Sequence, residues 1–457
     1  MEMERKGLLD KCGKVHRRML ILLPDGRIHR LTLPFLRISF REAPLTATLL
    51  AALTPPELGF DIRICDASVS DVPMDGTFDL VAISIITGTA IEGYRLADHF
   101  RAKGATVVIG GVHATLLPEE ASTHADSLMT GFAEGTWPEM CRDFCNGALK
   151  PRYDGGSPDL VGIPWPRRDL QKRFGYMMPQ TVFATRGCRN TCDFCAVVGA
   201  KFGWHTRPVE EVAAEIASLP GKRFAFNDVS LCEDREYALA LCRAIKPLRK
   251  KWGGLMTLKA ASDESMLDAL ADAGCCYMLL GFESASGRSL TGIRKAFNAP
   301  EEYKRIISNM HTRGMMIQGC FIFGLDDDTA DVFDATADMI DELEIDIPRY
   351  AVYTPFPGTD CYRRMAAENR LLPGVNWSWY DTQHVVIRPK QMTPEELDAG
   401  FIRAWRHTFS MKSILRRLSL RRSQFPVAFI GNLAYRLYRR RLARDNHRFA
   451  LSPEDVV

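Results

Sequence analysis

Short apolar runs alternate with amphipathic stretches along the first third of the chain. The apolar runs predict β-strands at residues 19–23, 61–65, 80–86 and 106–109. Amphipathic stretches predict helices at residues 45–53 and 91–102. This alternation predicts an α/β domain built on a doubly wound parallel sheet. In such sheets ligands bind beyond the carboxyl ends of the strands, which here are the loops 84–89, 110–115 and 131–136.

A second series of strands and helices begins near residue 178 and ends near residue 360. Its strands are predicted at residues 181–185, 223–227, 277–281, 316–323 and 350–354. Its helices are predicted at residues 208–217, 266–273, 302–313 and 331–343. The pattern is a β/α repeat of about six units, which is typical of a parallel sheet or barrel. The remainder of the chain reads as helical.

Composition places the chain among ordinary globular proteins with several domains. It has 457 residues, of which 46% are hydrophobic and 25% are charged. A glycine- and proline-rich stretch after residue 154 predicts a linker, which gives the domains 1–150, 178–360 and 361–457 with the linker 151–177. The thirteen cysteines, with no signal peptide and no apolar run of transmembrane length, predict a cytoplasmic protein without disulfides.

The last region carries two features of its own. Trp377, Trp379 and Tyr380 lie close together and predict the core of a small cap, the alternative being a wall for a flat substrate. Residues 412–448 contain eleven Lys or Arg and one acid, although the net charge of the chain is only +3. A basic amphipathic helix here is either a solvated face or a peripheral contact with an anionic membrane. Nucleic acid is not the expected partner.

The most informative motif is Cys188-Arg-Asn-Thr-Cys192-Asp-Phe-Cys195. Three thiolates at this spacing can hold three corners of a [4Fe–4S] cluster and leave the fourth iron open to a small molecule. A structural zinc site normally takes four ligands, often as two cysteine pairs. The neighbouring cysteines, Cys145 and Cys232, are too distant to form such a pair. The motif therefore indicates an iron–sulfur cluster.

This motif and its flanks resemble the radical S-adenosylmethionine (radical SAM) superfamily. The resemblance implies a partial (β/α)6 barrel for residues 178–360. It also implies that SAM binds the open iron through its amino and carboxylate groups. The cluster would then supply one electron, which splits the sulfonium and releases a 5′-deoxyadenosyl radical.

The same resemblance suggests which residues contact SAM. Phe194 stands where the family places a ring near the adenine, and Gln318 where it passes the backbone beneath it. Asn227 and Asp228 end a strand whose carboxyl end holds the SAM ammonium in relatives. Glu283, at another strand end, would accept the ribose hydroxyls. Arg207 would face either the SAM carboxylate or the cluster, the alternative being a salt bridge with Glu210 or Glu211.

The first region resembles the Rossmann-like cobalamin-binding domain that precedes many radical SAM barrels. The resemblance lies in the stretches 108–115, 118–120 and 131–135. The residues expected to contact cobalamin are Ser84, Gly110, Gly111, His113, Thr115 and Glu134. His113 would either face the cofactor or cap a loop. The family's histidine motif is absent at residues 24–29, so any cobalamin would be held without that histidine ligand.

Together these features resemble the group that contains the anaerobic magnesium-protoporphyrin ester cyclase and the hopanoid methylases. The first hypothesis is a cobalamin-dependent C-methyltransferase that acts on an unactivated carbon of a small, lipid-like or tetrapyrrole-like substrate. A second is a radical oxidoreductase or cyclase without methyl transfer. A third is a non-catalytic iron–sulfur protein. Either enzyme would need a reducing donor such as flavodoxin or ferredoxin.

Overall fold

The computed structural model describes residues 8–9, 15–26, 30–33, 36–420 and 422–445. The chain forms two compact units, Met1–Pro179 and Gln180–Val457, called unit 1 and unit 2 below. Residues 27–29, in the place of the absent histidine motif, lie outside the described residues, as do Arg421 and Arg448 of the basic segment.

Unit 1 alternates strands and short helices. Its strands are β1 (Leu8–Leu9), β2 (Val15–Leu23), β3 (Arg30–Leu33), β4 (Leu36–Glu42), β5 (Phe60–Asp66), β6 (Leu80–Ser84), β7 (Thr106–Gly110), β8 (Ser127–Gly131), β9 (Arg152–Gly155) and β10 (Tyr176–Met178). Its α-helices are α1 (Thr46–Leu53), α2 (Ala90–Ala102), α3 (Val112–Leu116), α4 (Pro118–Ser122) and α5 (Trp137–Cys145).

The main sheet of unit 1 is doubly wound, as the sequence predicts. Six parallel strands lie in the order β5-β2-β6-β7-β8-β9, and β1 pairs antiparallel with β2. The strand order reverses between β2 and β6, and in such sheets ligands bind outside the carboxyl ends of the strands at that point. The loops after β6, β7 and β8 therefore share one edge of the sheet.

Residues of the segment 151–177 also belong to sheets of unit 1. β9 pairs with β8, and β10 pairs with β4 in a separate sheet with β3. Unit 1 thus ends at Pro179, beyond the boundary near residue 150 that the sequence suggested. Glycines hide the strand character of β9: Gly155 is its last residue, and a Cβ atom there would overlap the carbonyl oxygen of Phe132.

Unit 2 begins with the cysteine segment and ends in helices. Its strands are β11 (Thr181–Val182), β12 (Thr185–Gly187), β13 (Trp204–Thr206), β14 (Arg223–Phe226), β15 (Lys251–Met256), β16 (Cys275–Glu283), β17 (Met316–Phe323) and β18 (Ile347–Val352). Its α-helices are α6 (Ala196–Gly199), α7 (Val209–Ser218), α8 (Arg235–Ile245), α9 (Leu258–Ala261), α10 (Glu264–Asp272), α11 (Gly287–Gly292), α12 (Tyr303–Thr312), α13 (Val332–Glu342), α14 (Asp360–Ala367), α15 (Pro394–Thr408), α16 (Met411–Arg417) and α17 (Phe425–Asp445).

Six parallel strands of unit 2 lie in the order β11-β14-β15-β16-β17-β18 and form the expected partial barrel. The sequence did not reveal β15, which contains Gly253 and Gly254. Glycine weakens a strand signal, but Gly253 is needed here because a Cβ atom would press against the Tyr277 ring. The predicted strand 181–185 is divided between β11 and β12, and β12 pairs with β13 instead of the barrel.

The two faces of the barrel wall differ in burial. On the outer face lie the side chains of Phe282, Phe321 and Tyr350. They are at most 1% exposed and pack on helices or on one another. Inward-facing residues such as Cys320 and Ala351 are only half-buried. Closed barrels fill their interior with side chains, whereas this wall is packed from outside and keeps an accessible inner face.

The C-terminal helices are fixed to unit 2 through buried polar contacts. The Arg417 guanidinium is fully buried, and its Nη1 donates to the carbonyl oxygens of Ile345 and Asp346 at 2.7 and 3.0 Å. Its Nη2 donates to Asn432 of α17 at 3.0 Å. This part of the basic segment is therefore not a uniformly solvated face. No helix among the described residues is long and apolar enough to cross a membrane.

Gly131→Ala is expected to destabilise unit 1 by about 3–5 kcal/mol, because its Cβ would overlap the carbonyl oxygen of Gly155 between β8 and β9. Gly147→Ala is the matched control: its φ of +69° resembles the +72° of Gly131, but nothing surrounds its Cβ. The control should lose only about 1–2 kcal/mol from the left-handed backbone. Urea unfolding of the full chain measures both, and equal losses would contradict the steric argument.

Candidate active site

The cysteine motif forms the loop between β12 and α6 in unit 2. Its first residue is fixed by a hydrogen bond from the Cys188 backbone N–H to the Gly203 carbonyl oxygen at 2.7 Å. Its last cysteine, Cys195, immediately precedes α6. Cys192 is buried, whereas Cys188 and Cys195 are half-buried. The chain thus presents three thiols from one short loop.

The chemistry of these thiols fits a cluster better than a single ion. Among the described residues, no three His, Cys, Asp or Glu side chains converge as ligands of one metal ion. In a [4Fe–4S] cluster each thiolate binds a different iron, so the thiols need not converge. Burial raises the pKa of Cys188 and raises that of Cys192 to about 11. Loading metal must therefore displace thiol protons.

Asp193 anchors the middle of the loop. It is 6% exposed, and its Oδ2 accepts a hydrogen bond from Arg364 Nη2 at 2.8 Å. Its backbone oxygen accepts from the Cys361 N–H at 3.1 Å. Both partners come from α14, far along the chain. Sequence reasoning missed Asp193 and Arg364, since nothing local marks a pair 171 residues apart.

Glu283 lies at the carboxyl end of β16, where the sequence placed it, in a strained conformation. Its φ is +64°, in the left-handed region that non-glycine residues rarely adopt. Its carboxylate forms an ion pair with Lys295, and both side chains are 10% exposed. Burial lowers the pKa of Lys295, but the Glu283 carboxylate together with Cys192 and Cys320 raises it, and the net shift is upward. The pair lies against Gly281, where a Cβ atom would come within 2.6 Å of Lys295 Nζ.

Asn227 and Asp228 follow β14, but their environments differ. Asn227 is exposed. Asp228 is buried, and its carboxylate accepts hydrogen bonds from the Ala184 N–H at 3.1 Å and the Thr185 hydroxyl at 2.6 Å. Burial raises the pKa of Asp228 to about 6. This carboxylate is used to hold the strand ahead of the cysteine loop, which also explains why the barrel strand ends at Val182.

Phe194 lies in the cysteine loop, and Gln318 lies near the start of β17 in unit 2. The Phe194 ring is 6.4 Å from the Tyr353 ring, edge to face. Gln318 is 8% exposed, and its side-chain oxygen accepts a hydrogen bond from the Tyr277 hydroxyl. Gln318 is therefore already oriented by the protein on the inner side of β17.

Arg207 is placed differently from either sequence interpretation. Its Nη1 pairs with Glu215 of α7 at 2.6 Å, not with Glu210 or Glu211, and donates to the Phe183 carbonyl oxygen at 2.9 Å. The two side chains are 1% and 0% exposed. Its Nε and Nη2 are buried without a hydrogen-bond partner among the described residues. These contacts support a structural role for Arg207, as one partner of a buried ion pair.

In unit 1, four of the expected cobalamin residues lie at one strand edge, namely Ser84, Gly110, Gly111 and Thr115. Ser84 ends β6 and pairs in register with Gly110, the end of β7. Gly111 has φ +98°, and a Cβ there would come within 3.0 Å of Ser84 Oγ. Thr115 accepts a hydrogen bond from the Gly131 N–H at 3.0 Å, which joins the loops after β7 and β8. A continuous backbone edge of this kind can receive polar groups of a large ligand.

His113 lies inside unit 1 and not on that edge. It is 0% exposed, with Nδ1 3.2 Å from the Thr87 hydroxyl and Nε2 3.3 Å from Glu120. Burial lowers its pKa, which favours the neutral ring, although the Glu120 carboxylate acts in the opposite direction. These contacts support the interpretation of His113 as a loop support. Glu134, in the loop after β8, is 8% exposed.

Comparison with known proteins gives three findings. The family model of the radical SAM superfamily matches residues 182–340. The bacteriochlorophyllide d C-12(1)-methyltransferase of Chlorobaculum tepidum is 31% identical over 391 residues, 82% of this chain and 84% of that protein. The anaerobic magnesium-protoporphyrin IX monomethyl ester cyclase of Rubrivivax gelatinosus is 25% identical over 402 residues, 78% of this chain and 72% of that protein.

One solved structure has the same fold across nearly the whole chain. The radical S-adenosylmethionine methyltransferase TsrM from Kitasatospora setae, with cobalamin and a [4Fe–4S] cluster bound, covers 94% of this chain and 98% of its own. Its TM-score is 0.67 at 15% sequence identity. At this identity the likeness concerns the fold.

Glu215→Gln is expected to destabilise the protein by about 3–5 kcal/mol, because it leaves the Arg207 cation buried without its counter-charge. Glu236→Gln is the matched control, since Glu236 is exposed and pairs with Arg235 at a distance of 3.5 Å. This variant should lose less than about 1 kcal/mol of stability. Thermal unfolding and SAM affinity are measured for both. Unchanged stability with weakened SAM binding would assign Arg207 to SAM instead.

Proposed function

Because the chain belongs to the radical SAM superfamily, we propose that it is a cobalamin-dependent C-methyltransferase that acts on an unactivated carbon of a chlorophyll-type tetrapyrrole. The observation that carries the proposal is the loop of three thiols in a partial barrel whose inner face is accessible. The similarity to the bacteriochlorophyllide methyltransferase extends beyond unit 2 into unit 1, because it covers 391 residues. This similarity supports methyl transfer as the reaction.

The residues of unit 2 divide the work of holding the cofactors. Cys188, Cys192 and Cys195 would bind three irons of a [4Fe–4S] cluster, and Glu283 would accept the ribose hydroxyls of SAM. When bound, the cluster and SAM supply a carbon radical and cobalamin supplies a transferable methyl group, which no side chain can provide. The protein positions these groups and excludes water. The ion pair with Lys295 orients the Glu283 carboxylate before SAM arrives.

Cobalamin would bind at the strand edge of unit 1 formed by Ser84, Gly110, Gly111, Thr115 and Glu134. The glycine pair allows backbone to approach a ligand closely. His113 is hydrogen-bonded inside the unit and would support the Thr87 loop, not bind cobalt. This arrangement agrees with a cofactor that is held without a histidine from the protein.

The reaction also needs an electron donor, and we place a flavodoxin or ferredoxin in that role. A reducing compartment fits the cysteines, because all twelve in the described residues are free. The cyclase similarity keeps a radical cyclase or oxidoreductase as the second candidate function. It differs from the first in one measurable respect: it leaves no new methyl group on the product.

The first test is cofactor content and methyl transfer with protein purified without oxygen from cobalamin-supplied cells. About four irons and about one cobalt per chain are expected. With bacteriochlorophyllide d and methyl-labelled SAM, label should enter the tetrapyrrole and two SAM molecules should be consumed per product. The combined change of Cys188, Cys192 and Cys195 to Ala should abolish iron loading.

Cys145→Ala is the matched control, because Cys145 is a half-buried thiol of unit 1 outside the motif. It should retain iron and methyl transfer. Deoxyadenosine without methyl incorporation would favour the oxidoreductase or cyclase. Iron retained in the triple variant, or no turnover of SAM, would refute the enzyme proposal and leave a non-catalytic iron–sulfur protein.

We further propose that the outer face of α17 contacts an anionic membrane. Arg436 and Arg439 bind carbonyl oxygens of unit 2 at 2.9 and 2.6 Å, so they are partly committed to the fold. Burial lowers the pKa of Arg439, and so does repulsion from the cations Arg436, Arg440 and Arg406. Nearby anions would relieve this repulsion. On the same helix, Ile430 and Leu437 are 62% and 48% exposed and lie two turns apart.

The double change Ile430→Ser and Leu437→Ser should reduce binding to vesicles of phosphatidylcholine and phosphatidylglycerol several-fold, since it removes the apolar part of the contact. Val161→Ser is the control, because Val161 is 67% exposed in unit 1. Co-sedimentation measures the bound fraction. Equal binding of the double variant and the control would refute the membrane contact.

A further inference from the structure

Arg349 is a cation on the inner face of the unit 2 barrel. On β18 it stands in register with Cys320 of β17, which stands in register with Gly281 of β16. Residues in register on parallel strands project to the same face. The next residue, Tyr350, projects outward and meets the ring of Trp405 at 5.6 Å. The Arg349 guanidinium therefore belongs to the interior, in a row with Cys320 and the Glu283–Lys295 pair over Gly281.

This cation has no anionic partner within the part of the chain that the structure describes. The ionisable groups with the strongest electrostatic influence on it are Tyr435, Cys320, Tyr438 and Tyr277, none of which is a carboxylate. The carboxylate of Glu283 belongs to the same interior row, but Lys295 already neutralises it. Three other arginines of unit 2, Arg207, Arg364 and Arg417, by contrast, each have a carboxylate partner.

An unpaired guanidinium in the interior needs a physical reason, because burying a charge without a partner is unfavourable. Arg349 is half-buried, so water reaches it while the barrel is open. Leu279, Ile322 and Ala351 project to the same face; Leu279 and Ala351 are half-buried, whereas Ile322 is buried in an apolar cluster with Tyr353. Among the described residues, an inner face with apolar side chains and one cation without an acidic partner is complementary to a ligand with an apolar body and one anionic group.

We infer that Arg349 binds a carboxylate of the substrate. The planar guanidinium can hold a carboxylate through two parallel hydrogen bonds. The apolar body of the substrate then lies along the side of the barrel that carries Leu279 and Ala351. This inference rests on the proposed function for the identity of the substrate, a tetrapyrrole acid, and it adds which group of that substrate the barrel recognises.

The test compares bacteriochlorophyllide d with the methyl ester of its carboxyl group, using the cluster-loaded full chain. The Kd of each is read from the change in tetrapyrrole absorbance, and the Kd of SAM is measured separately. The native protein should prefer the acid by about 10- to 100-fold, the range for a charge-assisted pair. Arg349→Gln should abolish this preference with unchanged affinity for the ester, and Arg349→Lys should retain part of it.

Arg243→Gln is the matched control, because Arg243 is exposed on α8, and it should keep the full preference. A preference for the acid that survives in Arg349→Gln would overturn the inference. So would a loss of SAM affinity in that variant with the preference unchanged, which would assign the cation to the SAM carboxylate. If acid and ester bind equally and both are methylated, the inference fails while the proposed function stands. If neither binds, both fail.

Discussion

An incomplete barrel of parallel strands has to be stabilised from its outer face, and this constraint decides how unit 2 is built. Met278, Leu280 and Phe282 of β16 are 0% exposed because they face the helices. Leu279 and Gly281, which alternate with them, are only half-buried. The outer face thus supplies fully buried apolar packing, whereas on the inner face Ile322 is buried and Leu279 is half-buried. The inner face is left for ligands, and its residues can be chosen for chemistry instead of packing.

That freedom makes electrostatic pairing the second requirement, since charges on the inner side lie near a low-dielectric wall. Asp193 is neutralised by Arg364 and Glu283 by Lys295. Each pair does more than cancel charge. The first fixes the cysteine loop against α14, and the second holds a residue whose left-handed backbone would otherwise be unfavourable. The cysteine loop is therefore oriented by the Asp193–Arg364 pair before any cofactor binds.

The sequence predicted the features that local patterns of residues determine. The spacing of the three cysteines, the alternation of strands with helices and the strand-end position of Glu283 depend on residues close together in the chain, and the fold confirms the alternation. The sequence did not predict that Lys295 pairs with Glu283 or that Glu215 pairs with Arg207. Both pairings depend on the three-dimensional path of the segment between the two residues. β15 was missed for another reason: its glycines serve a close approach to Tyr277, and such contacts are invisible in a pattern of apolar residues.

The charges of the inner row have a consequence for how the site responds to a ligand. Glu283 contributes one negative charge, whereas Lys295 and Arg349 contribute two positive charges, so this row carries a net positive charge in the free protein. The tyrosines and the thiol near Arg349 are neutral at physiological pH and cannot balance it. Water must therefore remain in the interior to solvate the cation. An anionic ligand that displaces this water restores neutrality and removes solvent from the barrel in one event, so recognition of charge and exclusion of water are carried out by the same residues.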